Sequence, residues 1–102
     1  MIHRFQWHFP SDHPALAGHF AGQPIAPGAV LLDRLELFAG RIAGTPGVNW
    51  SIKSAKFLQT VRPGDALDFS VQAAETGGFD FRIERGGSLI ARGLIVASDA
   101  RL

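Results

Sequence analysis

The chain has no cysteine, which excludes disulfides, thiolate catalysis and cysteine-ligated zinc. Charge of one sign is not in surplus: ten Lys and Arg face nine Asp and Glu, a formal net of +1. No strong field is therefore available to gather nucleic acid. No HExxH pattern occurs, so His3, His8 and His13 are expected as surface or strand residues, and no metal is expected. No apolar run approaches the ~20 residues of a membrane span, and the first eight residues lack the apolar core of a signal peptide. There is no internal repeat, linker or low-complexity tract. What remains is the expectation of a soluble, cytoplasmic domain. At 102 residues it is expected to be single, spanning 1–102.

What is there is patterned. Residues 2–9 alternate, with Phe5, Trp7 and Phe9 on one side and Arg4, Gln6 and His8 on the other, as a strand does. Pro10 stops the run because proline cannot donate to a ladder. Six prolines and glycines punctuate residues 10–27, which predicts a long loop with at most one helical turn near Pro14. Residues 28–43 predict one helix, with Leu31, Leu35, Phe38 and Ile42 on its main stripe. Val30, Leu37 and Gly40 lie on another side with Asp33, so the helix is apolar on two faces and is expected to be wrapped rather than laid on a surface. Strands follow at 49–57, 66–74, 79–83 and 88–98. The last is apolar enough to predict both faces covered. The fold class is thus α+β, with one long helix against a curved antiparallel sheet.

The informative stretch is residues 18–33, which sets His19, Gly28 and Asp33 close in sequence. An imidazole titrates near neutral pH and can take a proton. A carboxyl desolvated by Val30, Leu32 and Leu37 would hold its proton and could give it up as an acid. The N–H of Gly28, at a helix start, can hold a carbonyl oxygen as negative charge builds on it. A base, an acid and a bare helix N-terminus together suit proton abstraction beside a carbonyl. His19 and Asp33 are too far apart to share a helix face, so either the loop folds back over the helix or a second subunit supplies one of them. Each residue also has a plainer use: a loop histidine bonded to backbone, a solvent-facing carboxylate favoured by the helix dipole, and a glycine that starts a helix after proline.

With Gly18-His19-Phe20, Pro24, Pro27-Gly28 and Asp33 in this spacing, the chain resembles the 3-hydroxyacyl-acyl-carrier-protein dehydratases of the hotdog fold. Residues 56–65, ending in Pro63-Gly64-Asp65, resemble that family's second stretch. Residues 13–18 with 30–33 are similar to the short dehydratase-like proteins of aryl-polyene pigment clusters. The resemblance implies a hotdog fold, a homodimer or a heterodimer with a related subunit, and removal of water from a 3-hydroxyacyl thioester to give a trans-2-enoyl thioester. By the same resemblance His19 removes the C2 proton, Asp33 protonates the leaving hydroxyl and the Gly28 N–H polarises the thioester carbonyl. Phe20, Pro27 and Leu37 are expected to line the substrate. No cofactor is implied, because the phosphopantetheine arm arrives with the acyl carrier protein or coenzyme A.

Two residues depart from the family pattern. Ala21 replaces a proline, and Leu37 stands where many members place a glutamine that orients the acid. They keep open a non-catalytic hotdog subunit that completes a partner's site. A thioesterase on the same fold is the other alternative, although thioesterase relatives generally lack the Gly-His-Phe and Pro-Gly loop.

Overall fold

The alternation near the N-terminus becomes strand β1 (Ile2–His8), in which His3, Phe5 and Trp7 are half-buried and Arg4, Gln6 and His8 exposed. A period of two puts one row of side chains on a core and the other in water. The computed structural model describes residues 1–10, 28–44, 49–75 and 77–97. After β1, these form helix α1 (Gly28–Ala43) and strands β2 (Trp50–Phe57), β3 (Ala66–Ala73), β4 (Phe79–Arg85) and β5 (Ser88–Ala97). The loop expected across residues 10–27, beyond Pro10, lies outside the described residues.

The strands make one antiparallel sheet in the order β1-β3-β4-β5-β2. Strands β3, β4 and β5 are a meander. Between β4 and β5, Gly86 and Gly87 both take positive φ, 57° and 87°, the pair of left-handed conformations that a two-residue hairpin turn requires. The expectation that both faces of β5 are covered is corrected. β5 is flanked by β4 and β2, yet Arg92 is exposed. Its apolar appearance comes partly from a bulge: Ile83 pairs with Ala91 but Glu84 pairs with Leu89. Ile90 is the extra residue, so Ile90 and Ala91, consecutive in sequence, are both buried.

Helix α1 buries Leu31, Leu35, Phe38 and Ala39. Phe38 stacks on Phe5 at 4.3 Å and meets Phe69 edge-on at 5.2 Å, which ties the helix to β1 and β3. Leu67, Phe69, Val71, Phe81, Ile83 and Ile95 complete the core from the sheet. Gly44, with φ of 68°, donates its N–H to the Gly40 carbonyl at 3.0 Å and closes the helix. Among the described residues the curved sheet packs on one stripe of the helix. Ala29, Asp33, Leu37 and Arg41 form an exposed line, because a single sheet covers only one stripe of a helix. Leu37 is 46% exposed.

Candidate active site at the start of the helix

Gly28 is the first residue of α1. N–H groups in a helix's first turn have no intrahelical acceptor, and they concentrate the positive end of the dipole. No acidic side chain occupies this first turn to compete for them. A side chain at position 28 would run into β2. An ideal Cβ there would lie 3.0 Å from Phe57 Cζ, with two further ring carbons at 3.2 and 3.3 Å. Glycine thus lets an aromatic ring close one side of the helix start, and that ring is itself 42% exposed.

Asp33 sits five residues further on, about 7.5 Å along the axis and about 140° around it. Gly28 and Asp33 therefore share a helix without sharing a face. Asp33 is exposed and borders a depression of about 140 Å³ with Trp7, Val30 and Arg34. Arg34 places its guanidinium over the Trp7 ring, 4.6 Å from its centroid, a cation–π contact. The depression is well below the ~300–1,000 Å³ typical of small-molecule sites. The expected desolvation of Asp33 by Val30, Leu32 and Leu37 is not supplied within one chain, since Asp33 and Leu37 both face outward. Among the described residues, Glu36 is the carboxyl whose ionisation the fold shifts. Burial, and then the charge of Asp33, raise it above its ordinary value of 4.5.

Of the residues the sequence singled out, the structure places Gly28, Asp33 and Leu37 on α1, with Leu37 one turn beyond Asp33 on the same exposed line. His19, Phe20, Ala21 and Pro27 lie outside the described residues. Phe57, Trp7 and Arg34 were not predicted at the site. Arg34 is the neighbour of Asp33 on α1, whereas only pairing between distant segments brings Trp7 and Phe57 there, and no local spacing signals it. A larger groove, about 610 Å³, lies on the sheet face that carries Lys56, Arg82 and Arg92. This face is opposite the core-facing residues of the same strands and apart from α1. Among the described residues no three His, Asp or Glu side chains cluster as a metal centre would need, and no helix is long and apolar enough to cross a membrane.

The ApeI-like family, described as ApeI dehydratase, matches residues 2–94. The chain belongs to that family. This ApeI-like chain is 35% identical over 95 residues to the 3-hydroxyacyl-[acyl-carrier-protein] dehydratase FabZ of Chlamydia trachomatis, covering 80% of this chain and 62% of that protein. It is 48% identical over 68 residues to the FabZ of Latilactobacillus sakei, covering 66% of this chain and 45% of that protein. The chain thus spans only about half to three-fifths of the length of these curated relatives. In fold it matches the dehydratase heterocomplex ApeI:P from Xenorhabdus doucetiae with a TM-score of 0.81 at 24% identity, over 96% of this chain and 88% of that one. The architecture is a hotdog, as the resemblance implied.

Proposed function

We propose that this ApeI-like chain dehydrates 3-hydroxyacyl thioesters carried on an acyl carrier protein or coenzyme A. The observation that carries the reading is the helix start. Its first turn carries no acidic side chain, it is walled by Phe57, and Asp33 follows on the same helix of a family whose relatives are dehydratases. The thioester carbonyl accepts a hydrogen bond from the Gly28 N–H, which stabilises the negative charge that builds there as the C2 proton leaves. His19 takes that proton. The C3–O bond breaks, Asp33 gives its proton to the departing hydroxyl, and C2 and C3 become a trans double bond. Water and the enoyl thioester leave an imidazolium and a carboxylate, and proton exchange with solvent restores both.

Gly28 and Asp33 face different sides of one helix, so a substrate on the Gly28 of one subunit would take its acid from the Asp33 of another. The exposed apolar side chains Leu37, Phe57 and Leu58, each over 40% exposed, support such pairing. Burial against a second subunit would also provide the desolvation that a proton-donating carboxyl needs. The second subunit is a copy of this chain or a related hotdog chain. Leu37, in place of a polar residue next to the acid, favours the second arrangement, in which the activity belongs to the pair.

The test is conversion of a 3-hydroxyacyl-carrier substrate, followed by mass spectrometry for loss of water. The enoyl product is expected, with none from His19→Ala. Free acid as the product would make the chain a thioesterase. Activity only after mixing with a related hotdog subunit would make this chain half of a heterodimer. No product under any condition, or full activity in His19→Ala, would overturn the assignment.

A further inference from the structure

One guanidinium joins the segment that follows β2 to the turn that holds the end of β1. Arg85, at the end of β4, donates from Nη1 to Asp65 Oδ2 at 2.8 Å and to the Thr60 carbonyl at 2.9 Å. From Nη2 it donates to Gln59 Oε1 at 3.0 Å. Gln59 and Asp65 carry the connection further. On one side, Gln59 donates from Nε2 to the Leu89 carbonyl at 3.1 Å, and the Leu58 N–H donates to the Ile90 carbonyl at 2.7 Å. These bonds extend the β2–β5 pairing beyond Phe57, whose ring lies over Gly28. On the other side, Asp65 Oδ2 also accepts the Arg62 N–H at 2.8 Å, which closes the turn at 62–65. That turn holds the end of β1 by two backbone bonds, from the Phe9 N–H to the Asp65 carbonyl at 3.0 Å and from the Gly64 N–H to the Phe9 carbonyl at 2.7 Å. Phe9 is fully buried and ends the segment that enters the sequence stretch containing His19.

We infer that Arg85 is a positioning residue for the proposed dehydration, fixing Phe57 against Gly28 and the β1 end at Phe9 through its bonds to Gln59, Thr60 and Asp65. The inference rests on the function proposed above. A planar fork with several donors can hold three acceptors at once, whereas an ammonium is a point charge on a flexible stem. The side chains of Arg85 and Asp65 are 34% and 24% exposed, so water competes only in part for these bonds. Near-attack geometry tolerates little drift: a misplacement of the reacting groups by about 1 Å, caused by a change far from them, can cost on the order of a hundredfold in rate.

The experiment compares wild type, Arg85→Gln, Arg85→Lys and His19→Ala, all well below their melting temperatures and normalised to folded protein. Arg85→Gln is expected to lower kcat by roughly ten- to a hundredfold with KM within about twofold, and Arg85→Lys to recover only part of it. A second readout is the carbonyl stretch of a bound saturated acyl thioester, which lacks the 3-hydroxyl and cannot react. Its shift to lower frequency in wild type is expected to shrink in Arg85→Gln, because the oxygen no longer meets the Gly28 N–H squarely. A purely structural clamp would lower the melting temperature and move neither kcat per folded molecule nor that band. Wild-type kcat and an unchanged band in folded Arg85→Gln overturn the inference. Should Arg85→Gln not fold, Asp65→Asn and Gln59→Ala carry the same comparison, and unchanged kcat in both overturns it. A wild type inactive both alone and mixed with a related hotdog subunit, or a fully active His19→Ala, defeats the dehydratase reading and this inference with it. Activity abolished by His19→Ala but untouched by the Arg85 variants defeats the inference alone.

Discussion

Replacing Gly28 by alanine and, separately, by proline tests the helix start more sharply than removing any side chain. Alanine keeps the N–H and adds a methyl group that meets the Phe57 ring at 3.0–3.3 Å. That contact is a few tenths of an ångström too tight, but the ring is partly exposed and can swing aside. Against the crowding stands the gain in helix propensity, up to about 1 kcal/mol and smaller in a first turn. The two offset, so Gly28→Ala is expected within about 1 kcal/mol of wild type, a shift of no more than roughly 4–8 °C in Tm. Displacing the ring and crowding the substrate carbonyl should still lower kcat/KM by about tenfold or more. Proline fits a first helical position because its fixed φ suits the helix and its missing N–H has no partner there. Gly28→Pro therefore adds the same crowding and also deletes the donor. Loss of an oxyanion donor typically lowers kcat by about 10²–10³, so Gly28→Pro should fall below Gly28→Ala by that further factor at similar Tm. The assays are initial rates of enoyl formation and thermal unfolding of the same preparations. Equal rates in the two variants would refute the role given to this N–H, and a wild-type rate in Gly28→Ala would refute the close-approach reading as well.

Other outcomes follow from packing and charge. Glu36, held above its ordinary 4.5 by burial and by Asp33, binds its proton more tightly folded than unfolded. Its ionised form therefore disfavours the fold at neutral pH, and the penalty fades as pH falls through the raised value toward 4.5. Glu36→Gln should raise Tm at pH 7, with the gain vanishing well below pH 4.5; a gain independent of pH would contradict this. Leu35 has no exposed surface, and Leu35→Ala should cost about 2–5 kcal/mol by denaturant titration, with a smaller cost meaning that the core collapses around the gap. Arg92 stands directly between Arg82 and Lys56 on neighbouring strands, and like charges so placed oppose the fold by roughly 0.2–1 kcal/mol per pair. Arg92→Thr should raise Tm, more at low salt than at high, and a fall in Tm at low salt would show that the row is compensated.

The helix shows how far local pattern reaches. Its limits at residues 28 and 43, its stripe of Leu31, Leu35 and Phe38, and its stop at Gly44 were all legible, because periodicity and end residues act over a few neighbours. The glycine turns of the β3–β5 meander were legible for the same reason. The reading of β5 as covered on both faces failed on a bulge. One extra residue at Ile90 puts two successive side chains on the same face, and composition cannot distinguish that from two covered faces. A central helix against a curved sheet was legible from its apolar faces, but what covers the face beside Asp33 was not, because the sheet packs on the stripe of Leu31, Leu35 and Phe38.

Residue order alone settled the type and order of the elements and most of their limits, and singled out Gly28 and Asp33, since short-range sterics and hydrophobic period need no distant partner. The fold decided that β2 crosses to the far edge beside β5 and that its Phe57 closes over Gly28. It also decided that Arg85 meets Asp65 and Gln59, and that Asp33 turns away from the helix start. Those placements depend on pairings between segments tens of residues apart, and their energies exist only once the whole sheet has formed.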